Sequence, residues 1–138
     1  MARTAKTTPA DLRQRAGTAR EHLRVALERI ALVEGKSDPS AAAQAAASNA
    51  ISAGIAATDA ICGSVLGELA NDQDHRAAVE LLATVKPDGS TLASKLRRLL
   101  KDKSLLQYGG YCTPAVARKA VRDAHALVDA MGNYGIKG

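Results

Sequence analysis

Phenylalanine and tryptophan are absent from this chain, and the only aromatic residues are Tyr108, Tyr111 and Tyr134. A core must therefore be assembled from Ala, Leu, Val and Ile. Alanine is the commonest residue and β-branched residues are scarce, which favours helices and disfavours strands, because a pleated sheet is filled by β-branched and aromatic side chains. Cysteine occurs twice, at Cys62 and Cys112, far apart and without a CxxC or a paired-histidine motif. That spacing argues against zinc, and no metal or cofactor is expected. Two isolated thiols fit a reducing cytoplasm in which both stay free. Long apolar runs are also missing. The stretch Ala41–Leu66 has Asp59 as its single charge, but its Ser, Asn, Gln, Thr and Gly content describes a buried central helix rather than a membrane span. The N-terminal MARTAKTTP is basic and has no apolar h-region. Residues 1–8 are expected to be a short disordered basic arm, and the expected location is the cytoplasm.

What is present is a chain of 138 residues with a net charge of +5. That length suits one domain, able to bury about two-thirds of the surface its unfolded state exposes. The spacing predicts an all-α, five-helix up-and-down bundle over residues 9–132, followed by a loose tail over 133–138. The first helix is expected from Pro9 to Glu34, with Ala16, Ala19, Leu23, Ala26, Ile30 and Val33 three and four apart on one face. Gly35 ends it, and Asp38 with Pro39 offers a cap and first turn for the second helix, expected to run to Ala70. That helix has two apolar seams and a narrow polar stripe of Ser48, Ser52 and Asp59, so it should lie at the centre. The third is expected from Gln73 to Val85, capped by Asn71 or Asp72, with a turn at residues 87–90. The fourth spans Thr91 to Leu105. Thr113 and Pro114 start the fifth, which reaches Met131.

Charge is concentrated in one place. Lys95, Arg97, Arg98, Lys101 and Lys103 give the segment 95–103 a charge of +4 after Asp102 is subtracted. Tyr108, Gly109, Gly110 and Tyr111 follow directly. Cations beside rings point to an anionic ligand such as nucleic acid; a solvated basic helix face accounts for the same residues. Arg97 and Lys101 share one helix face, and Lys95 and Arg98 share another. Tyr108 is either a core-edge ring or a stacking platform. Asp59, a carboxylate on an apolar helix, demands a partner, with Arg97, Arg98, His75 or a backbone donor as candidates. His75 either contacts an anion or makes a local hydrogen bond in its first turn.

In order, these pieces resemble a HEPN domain (higher eukaryotes and prokaryotes nucleotide-binding) over residues 40 to 131. The carriers are a long small-residue helix, the His-led segment Asp74-His75-Arg76-Ala77-Ala78-Val79, the charged helix running into Gln107-Tyr108-Gly109, and a Thr113-led alanine-periodic helix. The resemblance implies a homodimer, RNA or nucleotide as ligand, and a toxin–antitoxin or defence setting with a possible antitoxin-like protein partner. Active members are similar to metal-independent endoribonucleases that use Arg, four to six residues, then His. Here those positions hold Lys103 and Gln107. Glutamine does not titrate, and lysine lacks the bidentate fork of arginine. The expected activity is therefore binding rather than catalysis, with Lys103, Gln107 and Tyr108 as the positions where catalysis would lie. Lys95, Arg97, Arg98, Lys101, Lys103 and Tyr108 form the expected nucleic-acid surface, with Asp59 and His75 as supporting polar groups. An active endoribonuclease and a non-enzymatic protein-interaction scaffold are the alternatives.

Overall fold

The computed structural model of the chain describes residues 4–70, 75–101 and 103–136. Helix α1 (Pro9–Ala31) starts at a reciprocal cap: the Thr8 hydroxyl accepts from the Asp11 N–H and the Asp11 carboxylate accepts from the Thr8 N–H, both at 3.2 Å. Its buried stripe is Ala16, Ala19, Leu23 and Ala26. The helix stops at Ala31, before the expected Glu34. The Val33 N–H turns back to the Ile30 carbonyl at 3.2 Å, tightening the chain into a turn.

Helix α2 (Ala41–Leu66) buries fifteen residues, mostly alanine. It begins two residues later than Asp38 and Pro39 predict. The Ser40 N–H is bonded to the Cys112 carbonyl at 3.2 Å, which holds residue 40 extended, and its hydroxyl caps the Ala43 N–H at 3.1 Å. At the other end Gly67 takes a left-handed conformation, φ 75°, and stops the helix four residues short of Ala70. Strand β2 (Glu68–Ala70) follows and pairs antiparallel with strand β1 (Thr4–Lys6), so part of the expected basic arm is seated against the body. Leu69 and Ala70 are buried there. By length and hydropathy α2 is long and apolar enough to cross a bilayer, but 67% of its most apolar window is buried against the rest of the chain.

Helices α3 (His75–Ala83) and α4 (Gly89–Lys101) form a hairpin. The expected caps Asn71 and Asp72 lie outside the described residues. The fourth expected helix is divided: α4 is followed by the six-residue α5 (Lys103–Tyr108). Helix α6 (Pro114–Ala130) starts with the Thr113 hydroxyl accepting from the Val116 N–H at 3.3 Å. A 3-10 turn, Met131–Tyr134, follows α6, and the Arg20 guanidinium donates to the Ile136 carbonyl at 3.2 Å, so the segment expected to be loose touches the core there. Tyr134 and Ile136 pack against that core.

The all-α expectation holds: among the described residues the five helices of nine residues or more carry the fold, and the two strands are three residues each. The up-and-down alternation does not extend throughout. α1 and α2 are antiparallel, with Arg15 against Asp59 and His22 against Asn49. α2 and α6 run side by side in the same direction, since Ser40 meets Cys112 at their starts and Gly54 faces Leu127 further along. Small residues along α2 make this possible, because a helix with alanine and glycine on every side accepts neighbours all round. A Cβ at Gly54 would run into the Leu99 side chain of α4 and touch Leu127 of α6. Gly54 is thus where three helices converge.

Candidate functional site

Helix α4 is amphipathic. Leu92, Ala93, Leu96 and Leu99 are buried, which turns its cations outward along two flanks. On one flank, Arg97 and Lys101 line a groove of about 430 Å³ with His75, Arg76 and Glu80 of α3, over Val79 and Leu100. On the other, Lys95 and Arg98 line a larger groove of about 690 Å³ with Lys119, Arg122 and Asp123 of α6. The two rows that the helical spacing separates therefore each face a groove.

The flanks differ in how their charge is used. Arg98 is held by Asp123 in a two-point contact, 2.9 Å from Nη2 to Oδ1 and 3.4 Å from Nε to Oδ2. The hydrogen bond that Arg98 donates to that carboxylate, and then the carboxylate's charge, push the guanidinium pKa further up. Arg76, Arg97 and Lys101 form no ion pair among the described residues, and all three are exposed. Exposed cations of this kind attract polyanions, and release of the polyanion's condensed counterions is what drives such binding.

Gln107, at the position where a catalytic histidine or aspartate is expected, has its side-chain nitrogen directed at α2. It donates to the Ser48 carbonyl and the Ser52 hydroxyl, both at 3.4 Å. Two members of the polar stripe on α2 thus receive α5. Lys103 is half-buried at the start of the same helix. The Tyr108 side chain lies outside the described residues, and Tyr111 is 65% exposed. The three histidines stand apart from this segment: His22 meets Asn49 at 3.0 Å, His75 lines the α3–α4 groove, and His125 lines a shallow groove between α1 and α6.

Asp59, 7% exposed, is paired with Arg15 of α1 at 2.8 Å, a cation that none of the sequence candidates included. The antiparallel packing of α1 on α2 explains it, since it brings residue 15 level with residue 59. The pair joins α1 to α2, and neither residue lines a groove beside α4. Cys62 is buried one turn from Asp59. Burial first, and the carboxylate second, push its thiol pKa up to about 12, which leaves it inert. Burial also raises the pKa of Cys112. Among the described residues no three His, Cys, Asp or Glu side chains cluster as metal ligands would.

Arg76, Lys119 and Arg122 are groove cations that sequence reasoning missed. α6 draws the eye for its buried stripe, but Lys119 and Arg122 stand three apart on its opposite face, the spacing of a single helical row. No protein-family model matches this chain, and a search among curated proteins returns no match.

Proposed function

We propose that this protein is a HEPN-like helical module that binds single-stranded RNA or a nucleotide without cleaving it, through the α3–α4 groove. The observation that carries the reading is the convergence of three unpaired, exposed cations, Arg76, Arg97 and Lys101, on one groove beside His75. Phosphates are held by such cations through charge and counterion release, with little demand on sequence. The engagement of Gln107 with Ser48 and Ser52 supports a structural role for the position where catalysis would otherwise lie. The order of the elements supports the HEPN-like part: a long small-residue helix, a His-led short helix, a basic helix followed by a short one that ends at Tyr108, and a Thr-led final helix. That reading carries with it a homodimer and a toxin–antitoxin or defence setting in the cytoplasm.

A labelled single-stranded RNA titrated with the protein at two salt concentrations tests this. Neutralising three phosphates on a single strand costs roughly 20-fold in affinity between about 50 and 200 mM salt. Arg97→Glu with Lys101→Glu is expected to abolish binding while leaving the helical circular dichroism unchanged. Salt-insensitive binding, or a charge-reversed protein that binds as well as the wild type, would overturn the proposal. Running the same samples on a denaturing gel addresses a second reading. His75 beside Arg76, Arg97 and Lys101 combines an imidazole, the side chain most often used for general acid–base catalysis, with cations able to stabilise a phosphorane. Cleavage that disappears in His75→Ala would make the module a ribonuclease acting from this groove.

A further inference from the structure

The α4–α6 groove has a different chemistry from its neighbour across α4, and we propose that it docks an acidic amphipathic helix of a protein partner. Its floor is aliphatic and nearly dry: Leu99 is 2% exposed, Ala120 6% and Leu106 7%. Val116, 42% exposed, extends that floor to the open side. Lys119 and Arg122 stand exposed along the α6 edge, with Lys95 on the α4 edge and Arg98 fixed beside it by Asp123.

A phosphate backbone gains nothing from a leucine and alanine floor, and no aromatic ring lines this groove among the described residues to stack a base. An amphipathic helix answers both features at once. Its leucines, three and four apart, cover the floor, and glutamates or aspartates flanking that stripe meet the basic edges. The volume, about 690 Å³, is the space of a few aliphatic side chains rather than of a whole helix, so the partner lies along the groove and inserts its apolar row. Charge complementarity sets orientation and on-rate, while burial of the aliphatic row carries the affinity. This docking does not depend on RNA binding in the α3–α4 groove. The two sites share helix α4 back to back and use different cations.

The test is fluorescence anisotropy on the full chain with three probes. They are a labelled peptide of about 18 residues with leucines at helical spacing among glutamates, a scrambled peptide of the same composition, and the single-stranded RNA. The ordered peptide is expected to bind at least about tenfold more tightly than the scrambled one, a difference of about 1.4 kcal/mol. Val116→Asp, and separately Lys119→Glu with Arg122→Glu, should each weaken the ordered peptide by about tenfold or more and leave RNA binding in place. These positions are exposed, so unfolding is not expected, and circular dichroism checks it. Arg97→Glu with Lys101→Glu should lose RNA and keep the peptide. Equal binding of ordered and scrambled peptides overturns the proposal. So does an ordered peptide indifferent to all the α6 substitutions. Loss of RNA rather than peptide on Lys119→Glu with Arg122→Glu would make this second groove part of a nucleic-acid surface and also overturn it.

Discussion

Cys62 shows how a single buried side chain links the core to pH. The folded protein holds the thiol protonated, with its pKa pushed up from 9.0 to about 12, chiefly by burial and then by the nearby Asp59 carboxylate. In the unfolded chain the same thiol loses its proton near the ordinary value. Between these values the unfolded state binds fewer protons, so stability falls as pH rises from about 9 towards 12. Cys62→Ala removes that term, at the cost of a small cavity. Urea unfolding at a series of alkaline pH values should therefore give a shallower decline for Cys62→Ala than for the wild type. Parallel declines would contradict the burial argument. Asp59 itself illustrates the limit of a single-residue reading. Its need for a partner is plain from an apolar helix, whereas the identity of Arg15 depends on which helix lies alongside.

Among the elements, the α3–α4 hairpin decides whether the grooves exist at all. α4 starts at Gly89, which is buried, and its N–H bonds to the Val85 carbonyl at 2.8 Å. A Cβ there would collide with the Leu82 carbonyl of α3, which is backbone and does not rotate away. At Gly54 the obstacle is the far end of the Leu99 side chain, which has other rotamers, and alanine gains roughly 1 kcal/mol of helix propensity over glycine. Gly89→Ala should therefore cost about 1–3 kcal/mol, and more than Gly54→Ala. Thermal or urea unfolding of the two variants compares them directly; equal losses would show that the turn yields. Because Gly89 sets how closely α4 approaches α3, its alanine variant should also weaken RNA binding at the Arg97 side more than peptide binding at the Lys119 side.

For the whole molecule, charge is segregated to a greater degree than its net value suggests. The cations of α4 are joined by Arg76 in one groove and by Lys119 and Arg122 in the other, with Glu80 and Asp123 as the acidic residues among them. A homodimer, part of the proposed function, would bring two such sets of cations into one assembly. Sedimentation velocity should find a species of twice the 14.3 kDa chain mass, stable at micromolar concentration. A monomer at every concentration would remove the dimer from the reading without touching either groove.

The all-helical architecture, the starts of α1 and α6 and the basic character of one segment are written locally, whereas α4 starts at Gly89, inside the turn expected over residues 87–90 and two residues before the expected Thr91. Alanine abundance, three-and-four spacing and the cap at Thr113 act within a few residues, so they are legible in one dimension. The outward cations of α4 are legible for the same reason: leucines at positions 92, 96 and 99 force the residues between them to the other faces. Long-range packing decided the rest. Cys112 receives the Ser40 N–H across some seventy residues of chain and moves the start of α2. The pairing of β1 with β2 draws in a segment that has no apolar pattern of its own. Gln107 is set on Ser48 and Ser52, and Arg15 on Asp59, by helices that meet only after folding. Whether a cation on α4 is free or neutralised depends on Asp123, twenty-five residues beyond Arg98. Spacing along the chain determines which face a side chain is on; what that face meets is a property of distance in space, which tertiary packing alone supplies.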